Sequence, residues 1–129
     1  NPKSTRPWQH VLEPLSGYIL LAKKLYFEPN KFSGAWNFGP TNHNNMNVEE
    51  VAREFIDYFG HGKIIINKND SFGHEATLLQ LNCDKAKRIL GWSPRWNGKE
   101  TIQKVAEWYK FDDKKKIEIT KNQINEYYR

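Results

Sequence analysis

Apolar positions recur at helical spacing in several blocks of the 129-residue chain, with β-branched or alternating runs between them. Residues 13–27 predict a helix. Glu13-Pro14 suits its first turn, where proline needs no N–H partner and a carboxylate complements the dipole. Pro29 ends it. Leu15, Tyr18, Ile19, Leu20, Leu21, Ala22, Leu25 and Tyr26 cover most of its circumference. A helix apolar nearly all round is buried on more than one side. In a chain this small, that implies a neighbour beyond its own core.

Residues 35–39 read as a compact strand ending at Gly39-Pro40, and a polar loop follows. Asn47 and Glu50 form a capping-box pair that opens a helix to about Phe59. Its stripe is Val48, Val51/Ala52, Phe55, Ile56 and Phe59. Gly60 and Gly62 end it, and the β-branched run 63–67 reads as a second strand. Residues 69–75 are turn-rich, and 77–81 alternate as a third strand. Asp84 opens a short helix through Leu90, closed by Gly91, and an aromatic, proline-containing loop runs to Trp96. An amphipathic helix over 99–111 carries Ile102, Val105, Ala106 and Tyr109 on one face. After Lys114–Lys116, Thr120 and Gln123 cap a last helix through Tyr128. Strands alternating with helices predict an α/β layer architecture of several helices with short strands. Residues 1–113 form its main unit, and 114–129 a Lys-rich linker with a C-terminal helix.

Composition narrows the function classes. Apolar residues make up 38%, enough for a core and against a disordered chain. The length suits one domain or part of a larger one, and not a two-lobed enzyme. The first residue is Asn1 and the sole methionine is Met46, which is the expectation for a piece of a longer protein. The net charge of +5 invites a nucleic-acid partner. However, the first 65 residues are net +1 and the rest net +4, three of these from Lys114, Lys115 and Lys116. One surface run is the better account, so no nucleic-acid partner is expected. A single cysteine, Cys83, excludes an internal disulfide and a cysteine-based zinc site, and fits a reducing, cytoplasmic location. No apolar run approaches the roughly 20 residues of a membrane span.

Candidate chemistry is sparse. Gly60-His61-Gly62 lacks a third glycine and precedes a strand, whereas a dinucleotide-binding turn joins a strand to a helix. There is no P-loop, no Gly-x-Ser-x-Gly elbow and no Tyr followed four positions on by Lys. None of His10, His43, His61 and His74 has a second ligand at metal spacing. Two places resemble ligand surface. In Arg6-Pro7-Trp8-Gln9-His10 a guanidinium beside an indole suits a phosphate-bearing ligand, with the fork on phosphate and the ring on an apolar edge. A surface arginine beside a packed tryptophan is the competing account. His74-Glu75 suits hydroxyl or phosphate contacts, or is a simple surface pair.

The order of these motifs carries a resemblance. Arg6-Pro7-Trp8-Gln9-His10-Val11-Leu12-Glu13 is followed by the apolar helix, then Asn37-Phe38-Gly39, a capped helix, His74-Glu75-Ala76, Asp84-x-x-Lys87, Leu90-Gly91-Trp92 and a helix ending near Trp108-Tyr109. This set resembles the C-terminal portion of the extended short-chain dehydrogenase/reductases that act on nucleotide sugars, the NAD-dependent epimerase/dehydratase family. The Arg-Pro-Trp-x-His form is similar to the branch that dehydrates CDP-glucose. The resemblance implies a substrate-binding portion whose NAD-binding Rossmann half is absent, with NAD bound by the parent enzyme and not by this piece. It places Arg6 on the sugar-nucleotide diphosphate. Trp8, His10, His74 and Glu75 are weaker substrate contacts, and no catalytic residue is assigned. His74 stands where the family commonly has a second arginine, so that contact becomes a neutral or pH-dependent donor. The partners implied are CDP-glucose and the missing half, and the apolar helix adds self-association.

Overall fold

The computed structural model describes residues 1–41, 45–66 and 76–129. Five α-helices organise it: α1 (Leu12–Phe27), α2 (Pro29–Phe32), α3 (Val48–Phe59), α4 (Gly98–Tyr109) and α5 (Asp113–Tyr127), with a π-helical turn at Ala86–Leu90 before α4. Among the described residues the α/β expectation is not met, and the chain is mostly helical. Pairing between extended segments is confined to two isolated bridges, Thr5 with Asn47 (antiparallel) and Thr5 with Leu78 (parallel).

The three expected strands show why. Residues 35–39 form no ladder, and side chains reach two of their carbonyls. Lys85 Nζ donates to Ala35 C=O at 2.9 Å and Gln9 Nε2 to Phe38 C=O at 3.0 Å. Of 77–81, one short stretch pairs, with Thr5 N–H on Thr77 C=O at 2.9 Å and Leu79 N–H on Thr5 C=O at 3.3 Å. Residues 63–66 are in neither helix nor strand and expose Ile65 and Ile66; Asn67 lies outside the described residues. Alternation gives these runs a strand-like pattern, but a strand needs a neighbour to complete its ladder.

Local signals set the helices. In α3 the Asn47 side chain accepts from Glu50 N–H and the Glu50 side chain accepts from Asn47 N–H, the expected capping box. Gly60 closes it at φ 95°, where a side chain would be strained. Carbonyls from the first segment take two more first-turn donors of α3, Ser4 C=O from Val48 N–H and Pro2 C=O from Glu49 N–H, each at 3.0 Å. In α4 an Asn97–Glu100 box does the same work. α5 starts seven residues before Thr120. Asp112 is its cap, so Lys114, Lys115 and Lys116 form its first turn rather than a linker. Before the π-turn, Asn82 Oδ1 accepts from Asp84 N–H at 2.9 Å, so Asn82 rather than Asp84 is the capping side chain.

The core sits between α1, α2 and the π-turn. Phe32, Phe38, Ala86, Leu90 and Trp92 are buried together, and Leu20, Leu21, Leu25, Trp36 and Cys83 pack on them. α1 meets this core at Gly17, where a Cβ would collide with the Phe38 ring. Its other face is bare: Leu15, Tyr18, Ile19, Tyr26 and Phe27 are exposed, Tyr26 by 83%. The apolar circumference read from the sequence is therefore half used within this chain.

Candidate functional site

The segment from Arg6 to His10 is an irregular arm leading into α1, and Arg6, Trp8 and His10 are anchored differently. Arg6 Nη1 donates to Thr5 C=O at 2.7 Å and to Ala76 C=O at 2.9 Å, fixing the half-buried arginine. Trp8 N–H donates to Arg6 C=O at 2.8 Å. The Trp8 indole Nε1–H donates to Met46 C=O at 2.9 Å, so the ring ties the arm to the start of α3.

His10 turns inward and is 5% exposed. Its Nδ1 accepts from Leu12 N–H at 3.3 Å and its carbonyl accepts from Glu13 N–H at 3.0 Å. It thereby supplies the cap that Val11 lacks. Burial lowers the His10 pKa below its ordinary 6.5; Lys104 lowers it further and the Gln123 side chain opposes both. The imidazole meets the edge of Trp96 at 4.8 Å between centroids. Arg6, Trp8 and His10 are thus brought onto one arm, while His74 and Glu75 lie outside the described residues.

A second group went unnoticed in the sequence. Glu13 is fully buried. Its carboxylate accepts from Arg95 N–H at 3.0 and 3.1 Å, from Trp96 N–H at 2.8 Å and from Tyr127 O–H at 2.5 Å. Ser16 Oγ lies 3.0 Å from the Tyr127 oxygen and accepts from Trp92 Nε1–H at 2.8 Å. Burial, then the Glu13 carboxylate, pushes the Tyr127 phenol well above its ordinary value. One acid in the first turn of α1 therefore ties together the 92–96 loop and the far end of α5. Glu13, Ser16, Gly17 and Leu20 share the inner face by i, i+3, i+4, i+7 spacing, but that spacing alone does not give Glu13 its partners.

Two clefts flank these groups. One of about 250 Å³ lies between the start of α1, α4 and α5, with His10 and Gln123 among mainly apolar walls that include Trp108 and Ile124. The other, about 260 Å³, is more polar and carries Thr41, Asn82, Asp84, Lys87 and Ser93. The Asp84-x-x-Lys87 motif thus lines a cleft, with a cation, a carboxylate and hydroxyls able to hold a polar ligand. Among the described residues no cluster of His, Cys, Asp and Glu is arranged for a metal, and no helix is long and apolar enough to cross a membrane. The lysine run is engaged locally: Lys116 pairs with Asp113 at 3.1 Å and lies over the Trp108 ring, and Lys115 lies over Phe111.

No protein-family model matches the chain. It is 30% identical over 105 residues to UDP-glucose 4-epimerase 3 of Oryza sativa subsp. japonica, covering 81% of this chain and 27% of that protein. It is 46% identical over 110 residues to the CDP-glucose 4,6-dehydratase of Salmonella typhimurium strain LT2, covering 85% of this chain and 31% of that enzyme. The chain spans less than a third of the length of these curated relatives. With its order of motifs, it matches the C-terminal part of a CDP-glucose 4,6-dehydratase.

Proposed function

We propose that the chain is the nucleotide-sugar-binding portion of an NAD-dependent CDP-glucose 4,6-dehydratase of the extended short-chain dehydrogenase/reductase family. The observation that carries this is the 46% identity over 110 residues. The geometry of the arm supports the reading. The arm holds Arg6 in a fixed orientation, and a guanidinium fork matches the oxygens of a diphosphate. Trp8 covers the nucleotide's apolar edge, and His74 and Glu75 are further contacts.

Gly60-His61-Gly62 closes a helix, whereas a dinucleotide turn opens one. This supports assigning the cofactor to another part of the parent enzyme. The chain alone is expected to turn over no CDP-glucose when NAD is added, and product formation by the purified chain would refute that expectation.

Calorimetric titration with CDP-glucose tests the binding role. Heat of binding that disappears in Arg6→Ala supports it, and equal binding by both proteins refutes it. The 30% identity to an epimerase of UDP-glucose favours a second reading, the corresponding portion of an epimerase. Tighter binding of UDP-glucose than of CDP-glucose would favour that one.

A further inference from the structure

α5 buries only two of its residues, Gln123 and Tyr127. They stand one turn apart on one face. Both meet the joint where the Arg6–His10 arm becomes α1. The Tyr127 hydroxyl donates to Glu13 at 2.5 Å, and its carbonyl accepts from Arg95 Nη1 at 2.7 Å. The Gln123 side chain lies against His10, and its Nε2 is held by Lys104 C=O at 2.9 Å. His10 caps α1, its Nδ1 accepting from Leu12 N–H and its carbonyl from Glu13 N–H, and Glu13 lies in the first turn it caps. The last helix thus holds both sides of the joint, His10 at the end of the arm and Glu13 at the start of α1.

We propose that α5 is a strap that positions the Arg6–His10 arm, so that the docking of Gln123 and Tyr127 sets the arm's affinity for a nucleoside diphosphate. This rests on the nucleotide-binding role given to Arg6 above. Gln123 and Tyr127 are positioning residues and touch no ligand. Holding the arm in one shape before binding removes an ordering cost from the complex, which appears as affinity.

The test is Tyr127→Phe in the full chain, which keeps the ring against Trp96 and removes one O–H. Calorimetry with CDP is run well below the melting temperature, where both proteins are fully folded. Losing a hydrogen bond to a carboxylate should weaken CDP binding about tenfold. Amide deuterium exchange over residues 8–13 should rise while that of α3 stays unchanged. Ile117→Ala, on the exposed face of α5, should leave the affinity unchanged.

Unaltered CDP affinity in Tyr127→Phe, or an exchange increase shared evenly by all helices, overturns the strap. If Tyr127→Phe does not fold, Gln123→Leu provides the same comparison through His10. If the wild-type chain does not bind CDP, or Arg6→Ala binds it equally well, the nucleotide role fails instead. The strap is then judged by exchange alone: a rise confined to residues 8–13 supports it, and any other pattern overturns it.

Discussion

Replacing Glu13 should destabilise this chain more than any surface substitution, and the cost follows from its partners. In Glu13→Ala two part-buried backbone N–H groups, of Arg95 and Trp96, lose their acceptor, and the buried Tyr127 hydroxyl is left with Ser16 Oγ alone. Each orphaned group costs about 1–3 kcal/mol, and breaking a buried charged network costs about 3–5 kcal/mol. A loss of about 4 kcal/mol is expected. For a chain of this length that is a fall in melting temperature of about 15 °C. Glu13→Gln keeps one oxygen, which can still accept from Arg95 and Trp96, so about half of that loss is expected. Thermal unfolding followed by far-UV circular dichroism measures both. Pairing Glu13→Gln with Tyr127→Phe should give a coupling of about 1 kcal/mol, because the two groups share one hydrogen bond. An alanine variant melting within about 4 °C of the wild type would refute the account.

Three further outcomes follow from other parts of the structure. Burial depresses the His10 pKa, so the unfolded chain binds more protons and folding stability should decline as pH falls below about 6.5; His10→Asn, which can cap Leu12 without titrating, should flatten that decline in urea melts, and an unchanged pH profile would count against it. Gly17→Ala should lower stability by about 1–2 kcal/mol although alanine is the better helix former, because the Cβ displaces the Phe38 ring; a more stable variant in the same melts would show that the ring yields freely. The bare face of α1 should make the isolated chain self-associate, and Tyr18→Ser with Tyr26→Ser should reduce this; a monomeric mass for the unmodified chain by sedimentation at high concentration would contradict the expectation.

The parts of the fold legible in the sequence are those whose causes are local. α3 follows from an asparagine and a glutamate three residues apart, an apolar stripe and a closing glycine, all within one segment. α1 begins one residue before its expected start and ends at Phe27 as read. The strands are not legible in the same way, because a strand is half a structure. Residues 35–39 and 63–66 have the composition of strands, but a ladder depends on what lies beside them, and the described residues supply side-chain donors for one and nothing for the other. α5 starts earlier than its sequence suggests for a different reason. A lysine run reads as solvated, yet an ammonium group is also attracted to an aromatic face. Lys116 Nζ lies over Trp108 at 4.6 Å and Lys115 Nζ over Phe111 at 5.2 Å.

The site divides along the same line. Arg6 and Trp8 could be singled out because adjacent residues of those types already suggest an anion and an apolar edge. Glu13 could not, although it lies in the same stretch, because its meaning depends on Arg95 and Tyr127, which are 82 and 114 residues away. Seen locally it was a favourable charge at a helix start, worth a few tenths of a kcal/mol to about 1 kcal/mol. Seen with its partners, its loss is worth about four times the upper figure. The residue that ties the 92–96 loop and the end of α5 to α1 therefore gives the weaker local signal.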